Sequence, residues 1–577
     1  MNMKNKFLNI SYYVIPLVII LCFSLWNFNE NSYPKMFGDE YGYWAAAAYF
    51  ANIDWSEITA LNAYYGWGYG IILSFILKLP ISSNFCYIIG LILNSILVWG
   101  TYCIVYNFCK KIFNKENDTA CCIIGFMGAV MPSVLYYTRY TLSETLLGLL
   151  YWGLIYAEYK ILKEMTYKWL GVLAFVDFLL LAVHMRTIGI VIVSICVVIC
   201  STYKSYVLKN LKQVGMYIGL CAVGVITVSV VKNLYQGSFR NEIIINNDAN
   251  TVMGVIPSIM QLFSLKGFCN FINNFCGRLY SVYTNSFLLG GVCILASLVM
   301  VARCFFSKHK TPLFDEIAIV AVLNTLSMIA VSSIFMIDNP TGRLDILTYS
   351  RYHEFTVGAL VVFGICYLLE KRDVLKLKYI LIVTIAIELI LSKIVTKITD
   401  YGATDGHLFI NNPCLYVIYG NSTEIRLIYF KSCLIACLIL ICIYIAIKSN
   451  KYILSKVICL IVIVFNIIGM NYVFDTGCLS WSVKQAQEDV SICKYIVDNG
   501  YEDSIYFLDC DDVLWIERLQ FMIKDNPIHI ISTKQIKDIY DSQAVLITTT
   551  KCDEKPNEET YKKVFETSRL EVWKANE

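Results

Sequence analysis

The sequence predicts an all-α polytopic membrane protein with about 13 transmembrane helices and a small extracytoplasmic α/β domain at its C-terminus. Apolar residues make up 57% and charged residues 16% of the 577 residues, whereas a soluble domain has roughly 45–50% and 25%. Long apolar segments recur through residues 1–473, which we interpret as the transmembrane domain. In residues 474–577 the apolar runs shorten and strand-like segments alternate with helix-like ones, which is typical of an α/β domain.

Apolar segments long enough to cross about 30 Å of hydrocarbon at about 1.5 Å per residue can be marked along the chain. The segment at 66–80 is short and ends at Pro80, so it is either a span or a helix packed at the outer surface. The predicted segments are 8–28, 66–80, 85–107, 119–137, 142–158, 169–184, 187–201, 214–231, 282–302, 317–337, 353–369, 379–394, 430–447 and 457–473.

The distribution of lysine favours one topology. The short Lys-rich loops share the side of Lys4 and Lys6 only if residues 32–84 stay outside without a net crossing. We therefore expect about 13 spans in a cell-membrane protein, with the N-terminus cytoplasmic and the C-terminal domain extracytoplasmic. The long loops then lie outside, which predicts that the functional site does too.

Several classes of function find no support in the sequence. The net charge is only +3, and there is no basic tract with interleaved aromatic residues, so nucleic-acid binding is not expected. Most of the 23 cysteines stand singly in apolar runs, where cysteine behaves as a small hydrophobe. No CxxC pair, GxGxxG or P-loop motif occurs, so we predict no zinc site, disulfide framework or nucleotide site.

The C-terminal segments can be assigned individually. Residues Val490–Asn499 and Asp512–Lys524 are helix-like, and the strand-like segments begin at Ser504, Ile528 and Ala544. A final hairpin is expected from Val564–Phe565 and Leu570–Trp573.

Two adjacent carboxylates, Asp39 and Glu40, follow the first apolar segment in FGDEYGYWAAAAYF. Acidic residues favour the first turn of a helix, so capping is one interpretation. The other is a catalytic site, because acids at a membrane boundary are costly unless they face a cavity. A sugar-transferring enzyme needs a carboxylate that removes the proton of the acceptor hydroxyl.

The stretch from Met36 to Phe50, together with YYGWGYGIIL at Tyr64–Leu73, resembles the first outer loop of GT-C-fold glycosyltransferases. The relatives are protein O-mannosyltransferases, the lipid A aminoarabinose transferase and the RgtA/B/C/D-like group. The resemblance implies an outward-facing site, a polyprenyl-phosphate sugar donor, and Asp39 as catalytic base with Glu40 as a helper. Some GT-C enzymes use a divalent metal; if this chain binds one, Asp39 and Glu40 are the candidate ligands.

Three further segments resemble elements of the same superfamily. The segment Pro132–Thr145 places Glu144 near the site, where it would orient Arg139 or the acceptor, although Ser143-Glu144 could equally cap a helix. In HMRTIG, Arg186 is a candidate for the donor phosphate, and snorkelling is the alternative.

In YSRYHE, the pair Arg351-Tyr352 is our first choice for the donor phosphate, because a guanidinium fork matches phosphate oxygens. Arg139 and the weaker candidate Arg278 complete the set, and Arg240, Lys266 and Arg343 are also available.

The leading hypothesis is a hexosyl- or pentosyltransferase that acts at the outer membrane face in cell-surface glycan or glycoconjugate assembly. Its acceptor would be a glycan, a lipid or a protein. The alternatives are a transporter or flippase for lipid-linked sugar, a polysaccharide polymerase or ligase, and an inactive scaffold or sensor. A transporter would carry acids at mid-membrane, and Asp177 is the one residue that fits.

Overall fold

The structure is a computed structural model and describes most of the chain. The described residues are 3–35, 37–60, 66–113, 118–204, 211–238, 252–307, 312–337, 346–369, 374–398, 425–448, 452–501, 504–508, 514–538, 544–552 and 555–576.

Helices dominate the part of the chain before the C-terminal sheet. Their bounds are α1 Met3–Ser24, α2 Phe37–Ala51, α3 Ser56–Ala60, α4 Trp67–Leu77, α5 Ser83–Phe113, α6 Asp118–Ala129, α7 Pro132–Tyr137, α8 Glu144–Lys163, α9 Tyr167–Val183, α10 Ile188–Lys204, α11 Leu211–Gln236, α12 Val252–Gln261, α13 Leu265–Asn285, α14 Leu289–Ser307, α15 Leu313–Phe335, α16 Glu354–Leu369, α17 Val374–Ile398, α18 Ile425–Lys448, α19 Tyr452–Phe474, α20 Ser480–Asp498 and α21 Leu514–Met522.

The helices confirm a polytopic membrane protein without establishing the number of spans. Among the described residues, seven helices are long and apolar enough to cross a membrane, or eight if α13 and α14 form one bent span. Helix α4 has 11 residues, so its length of roughly 16 Å is too short to cross the hydrocarbon core. It is therefore a short apolar helix rather than a full span.

Two predicted spans are interrupted in the structure. The prediction at 282–302 is wrong in its start, because α13 ends at Asn285 and α14 begins at Leu289 after a bend of 113°. Phe287 and Leu288 adopt φ values of 50° and 63°, a left-handed conformation that ends a helix. The prediction at 119–137 is divided between α6 and α7, where Pro132 supplies no backbone N–H and begins the second helix.

Helix α2 lies at the centre of the packed structure and carries Asp39 and Glu40 in its first turn. Its residues from Tyr43 to Ala48 are almost fully buried. Small residues let α4 approach closely, since a Cβ added at Gly70 would lie 2.6 Å from the Cβ of Ala46. This packing holds α2 against α4.

The C-terminal part contains a five-stranded sheet in the order β2-β1-β3-β5-β4. The strands are β1 Ile505–Leu508, β2 Ile528–Ile531, β3 Val545–Thr549, β4 Tyr561–Glu566 and β5 Leu570–Ala575. Strand β1 pairs in parallel with β2 and β3, and β5 pairs antiparallel with β3 and β4. The predicted α/β pattern and final hairpin are thus confirmed. The predicted helix start at Asp512 lies outside the described residues.

The C-terminal part packs directly on α2. The Phe521 ring of α21 lies 5.0 Å from the Trp44 ring, and Arg518 Nε donates to the Pro34 carbonyl over 3.1 Å. Lys524 Nζ donates to the Leu79 carbonyl over 2.7 Å. Because Pro34 precedes α2, Trp44 lies within it and Leu79 follows α4, which packs on α2, the C-terminal part holds the helix that carries the predicted base.

Candidate active site

Three predicted site residues meet around one guanidinium. Arg351 Nη1 donates to Asp39 Oδ2, and Arg351 Nε donates to Glu144 Oε1. The exposed fraction of the side chain is 7% for Arg351, 10% for Glu144 and 30% for Asp39. The base predicted from the sequence is therefore the most accessible member of this cluster, which we call the Arg351 cluster.

The Arg351 cluster joins three distant parts of the chain. Asp39 lies in the first turn of α2, Glu144 begins α8, and Arg351 precedes α16. Burial lowers the pKa of Arg351, but Glu144 and Asp39 more than offset this, so that the net pKa lies above its ordinary value. The guanidinium therefore stays charged between the two carboxylates.

Glu40 has a different place from that of Asp39. Its Oε1 accepts from the Tyr87 hydroxyl at 2.7 Å and from the Thr141 N–H and hydroxyl at 2.8 and 3.0 Å. Its Oε2 accepts from the Lys35 N–H at 2.6 Å. Glu40 is fully buried, and it ties three segments to α2. The structure does not bring it into the Arg351 cluster, so its predicted role as a helper or metal contact gains no support.

A second guanidinium, that of Arg186, packs on Tyr352, the residue that follows Arg351. Arg186 Cζ lies 3.0 Å from the ring centroid of Tyr352, and the Tyr349 and Tyr352 ring centroids are 4.4 Å apart. Arg186 Nη1 is buried without a hydrogen-bond partner among the described residues. Because a buried donor is costly when unsatisfied, this group is a candidate for contact with an anionic ligand.

Arg139 is held by residues outside the Arg351 cluster. Arg139 Nε donates to the Phe23 carbonyl at 2.9 Å, its Nη1 lies 3.5 Å from Asp475, and its guanidinium lies 4.6 Å from the Phe474 ring centroid. Glu144 consequently pairs with Arg351 and not with Arg139, which corrects one sequence prediction. The structure does not bring Arg139 into the Arg351 cluster.

Arg278 is buried next to α15. Arg278 Nη1 donates to Ser333 Oγ at 3.3 Å and Nη2 contacts Met336 Sδ at 3.1 Å. It is not a member of the Arg351 cluster, but it lies close enough to Arg186, Tyr349 and Tyr352 to interact with them electrostatically. Its Nε is buried and has no hydrogen-bond partner among the described residues. Lys266 is exposed on α13. Arg240, Arg343, Tyr64 and Tyr65 lie outside the described residues.

The carboxylates do not form a metal-binding donor set. Within the described ranges, no group of three His, Cys, Asp or Glu side chains could hold a metal ion. Both Glu40 oxygens accept protein hydrogen bonds, and Asp39 and Glu144 share Arg351. These residues therefore do not fit the metal site that the resemblance allows, and no step below depends on a metal.

Asp177 belongs to a separate buried network. Its Oδ2 accepts from the Tyr217 hydroxyl at 2.5 Å, and Ser194 Oγ lies 3.4 Å from its Oδ1. Ser194 Oγ also lies 3.2 Å from Glu158 Oε1. This network links α8, α9, α10 and α11, so the carboxylate of Asp177 makes hydrogen bonds between helices.

A cavity of about 300 Å³ opens beside α2. The rings of Tyr49, Trp55 and Tyr235 line it, together with the acid Asp54 and neutral polar side chains such as Asn52. Such a mixture of aromatic surface and hydrogen-bonding groups suits an uncharged, hydroxyl-rich ligand.

The comparisons with known proteins agree with this architecture. No family model and no curated protein sequence matches the chain. The crystal structure of ArnT from Cupriavidus metallidurans bound to undecaprenyl phosphate has a TM-score of 0.52 and 11% identity, over 98% of this chain and 97% of that one. The apo ArnT structure has a TM-score of 0.52 and 12% identity, over 99% and 98%.

This likeness shows the fold alone. The chain has the fold of ArnT along nearly its whole length, including the part that carries the sheet. The GT-C-like fold that the sequence motifs suggested is thus confirmed.

Proposed function

We propose that this chain is a membrane glycosyltransferase that moves a sugar from a polyprenyl-phosphate donor to an acceptor hydroxyl. The observation that carries the proposal is the Arg351 cluster, in which a partly exposed carboxylate lies beside a buried guanidinium. The fold shared with ArnT, whose structure holds undecaprenyl phosphate, supports a lipid-phosphate donor.

The chemistry needs one base and one phosphate-binding group. Asp39 accepts the proton of the acceptor hydroxyl while the hydroxyl oxygen bonds to the anomeric carbon of the sugar. The bond between that carbon and the phosphate oxygen breaks, and its electron pair stays on the departing polyprenyl phosphate. Attack from the side opposite the phosphate inverts the anomeric carbon. Arg351 stabilises the charge that develops on the phosphate.

Arg351 can also couple donor binding to the activation of Asp39. A phosphate competes with the carboxylate for the same guanidinium, because both offer oxygens to its fork of N–H donors. Donor binding would thus weaken the contact between Arg351 and Asp39 and leave the carboxylate able to accept a proton. Arg186, with a buried N–H that no described residue satisfies, would supply further positive charge to the phosphate.

The side of the membrane and the acceptor belong to the same proposal. The lysine distribution favours the outer face for Asp39 and Arg351, which fits an acceptor in a cell-surface glycan, lipid or protein. The cavity beside α2 is suited to the saccharide part of such an acceptor.

A transporter of lipid-linked sugar is the second candidate, because two buried acids, Asp177 and Glu158, lie close together within the helical part. If transport were the function, Asp177→Asn would abolish it and Asp39→Asn would not. If the chain is a glycosyltransferase, Asp39→Asn should abolish its activity and Asp177→Asn should not.

The direct test is sugar transfer by the Asp39→Asn chain. Membranes that contain the wild-type or variant protein are supplied with radiolabelled polyprenyl-phosphate hexoses and pentoses, and incorporation into macromolecules is measured. We expect transfer to fall about 100-fold or more, because a general base contributes about 10²–10⁴-fold. Asp498→Asn is the matched control, since Asp498 is exposed at the end of α20. Wild-type transfer by the Asp39→Asn chain, at equal protein in the membrane, would contradict the proposal.

A further inference from the structure

Glu517, in α21, is a buried acid that the proposed mechanism does not yet use. Only 1% of its surface is exposed. Its Oε2 is buried and has no hydrogen-bond partner among the described residues. A buried carboxyl oxygen without a partner is costly, so it is a candidate for contact with a ligand.

The packing of α21 directs Glu517 towards the start of α2. Phe521 packs on Trp44 with 5.0 Å between ring centroids, and Arg518 Nε donates to the Pro34 carbonyl. Residues four apart share one face of a helix. Glu517 therefore lies one turn before Phe521, alongside the first turn of α2, where Asp39 is.

The two acids cannot both be charged at low cost. Burial, together with the negative charge of Asp39, raises the pKa of Glu517 well above its ordinary value. Asp39 has Arg351 as its counter-charge. A pair of neighbouring carboxyl groups in unequal surroundings divides into one ionised and one neutral member. We expect Glu517 to be the neutral member, because its pKa is the raised one, and a neutral carboxyl group can donate a hydrogen bond.

We propose that Glu517 is an acceptor-binding residue that extends the site from Asp39 into the C-terminal part of the chain and donates a hydrogen bond to the acceptor. The identity of this ligand as an acceptor rests on the proposed function. The electrostatic coupling between Glu517 and Asp39 does not, and it can be measured without any substrate.

Other titratable groups lie on the elements packed against α21. Most of them already have partners within the protein, as Glu57 has in His529 and Asp489 has in Arg518. The groups are Asp39, Glu40 and Tyr41 from α2, Lys35 before it, Glu57 from α3, Tyr87 from α5, and Asp489 from α20.

The first experiment follows protonation by infrared spectroscopy of the purified full-length chain in lipid nanodiscs. The wild-type spectrum minus that of Glu517→Gln should contain the carbonyl stretch of a protonated carboxyl group at neutral pH. We expect this band to disappear at alkaline pH. When Asp39→Asn is added to both the wild-type and the Glu517→Gln chain, the band should disappear at a lower pH, because the negative charge of Asp39 is gone. Absence of the band, or an unchanged pH of loss, would overturn the proposal.

The second experiment measures acceptor binding. Membranes from a strain that lacks the protein supply the acceptor, and the donor is radiolabelled polyprenyl-phosphate sugar. Glu517→Leu should raise the apparent KM for acceptor membranes about 3- to 10-fold, as expected for one lost hydrogen bond, with the donor KM unchanged. Glu517→Gln keeps a donor group, so its acceptor KM at neutral pH should stay near that of the wild type. At alkaline pH the wild-type KM should rise as Glu517 loses its proton, whereas the KM of the Gln variant should not.

Glu488→Gln is the matched control, because Glu488 pairs with Arg569 and Ser568 within the C-terminal part. The proposal that Glu517 binds the acceptor would be overturned by either of two results. One is that Glu517→Leu raises the donor KM as much as the acceptor KM. The other is that the acceptor KM of Glu517→Gln varies with pH as that of the wild type does. Because Gln has nearly the shape of Glu, the pH comparison holds even if the Leu variant fails to fold. Normal transfer by Asp39→Asn would contradict the proposed function instead.

Discussion

Arg351 and Asp39 lie 312 residues apart in sequence and form an ion pair through Nη1 and Oδ2. The same guanidinium donates from Nε to Glu144. One planar cation thus orients two carboxylates from different helices. This arrangement depends on the fork geometry of arginine, which lysine cannot reproduce.

Arg351→Lys tests whether that fork is needed. Lysine keeps the charge but cannot hold Asp39 and Glu144 together, so we expect transfer to fall about 100-fold or more, as when a donor to a developing anion is lost. Initial rates of transfer in membranes are the measurement. The exposed Arg303, at the end of α14, provides the control Arg303→Lys. Equal rates for the wild-type and Arg351→Lys chains would show that the fork has no catalytic part.

Glu40→Gln separates a structural acid from a catalytic one. The amide would place N–H groups against donors that now bond to a carboxylate, from Lys35, Tyr87 and Thr141. We expect the free energy of unfolding to fall by about 1–3 kcal/mol, seen as a lower Tm of the detergent-solubilised protein. Glu164→Gln, at the exposed end of α8, should leave Tm unchanged. A stable but inactive Glu40→Gln chain would place Glu40 in the chemistry after all.

Tyr352 positions Arg186 in this structure. The guanidinium lies over the ring, so Tyr352→Leu removes a cation–π contact of about 0.5–2 kcal/mol. We expect the donor KM to rise about 2- to 30-fold, whereas Tyr352→Phe, which keeps the ring, should stay within about 2-fold of the wild type. Kinetics with varied polyprenyl-phosphate sugar measure both. If both variants behave alike, the ring does not orient Arg186.

The buried pair of Asp489 and Arg518 makes a contribution to stability that depends on pH. Burial raises the pKa of Asp489 to about 6, above the ordinary value of an aspartate, despite the positive charges of Arg518 and Arg569. The folded state thus binds a proton more tightly than the unfolded state, so this contribution is present below the unfolded pKa and is lost as pH rises from about 4 to about 6.

Asp489→Asn removes this titration. The Tm difference, wild type minus variant, should therefore decrease between pH 4 and pH 6, which thermal unfolding in detergent at several pH values can measure. Asp498→Asn, on the same helix, should show a pH-independent difference. A difference for Asp489→Asn that stays constant over this range would mean that Asp489 is ionised throughout it.

Chelation tests the source of positive charge at the site. We expect transfer to persist after treatment with EDTA, because Arg351 already occupies Asp39 and Glu144, and Arg186 adds a second cation. Transfer is measured in washed membranes with EDTA and then with added Mg²⁺ or Mn²⁺. A loss with EDTA that either ion restores would assign the role to a metal.

Local sequence patterns predicted the helices and strands, because these elements depend on the spacing of apolar residues along the chain. Alternating segments identified the strands of the C-terminal sheet, and apolar length identified most of the long helices. The motifs around Asp39, Glu144 and Arg351 predicted residues that the structure brings together. Each is a charged residue in an apolar chain, where burial is costly without a partner, so its presence alone indicates an interaction.

The partner of each charged residue depends on long-range packing. Glu40 adjoins Asp39 in sequence, but successive residues of a helix point in different directions, and Glu40 turns to Tyr87 and Thr141. Arg139 pairs with Asp475, and Glu517 approaches Asp39 only because α21 packs on α2. Local sequence patterns were therefore enough to predict a charged site in a membrane protein. Long-range packing determined its members, because a contact between residues hundreds of positions apart leaves no trace in local composition or periodicity.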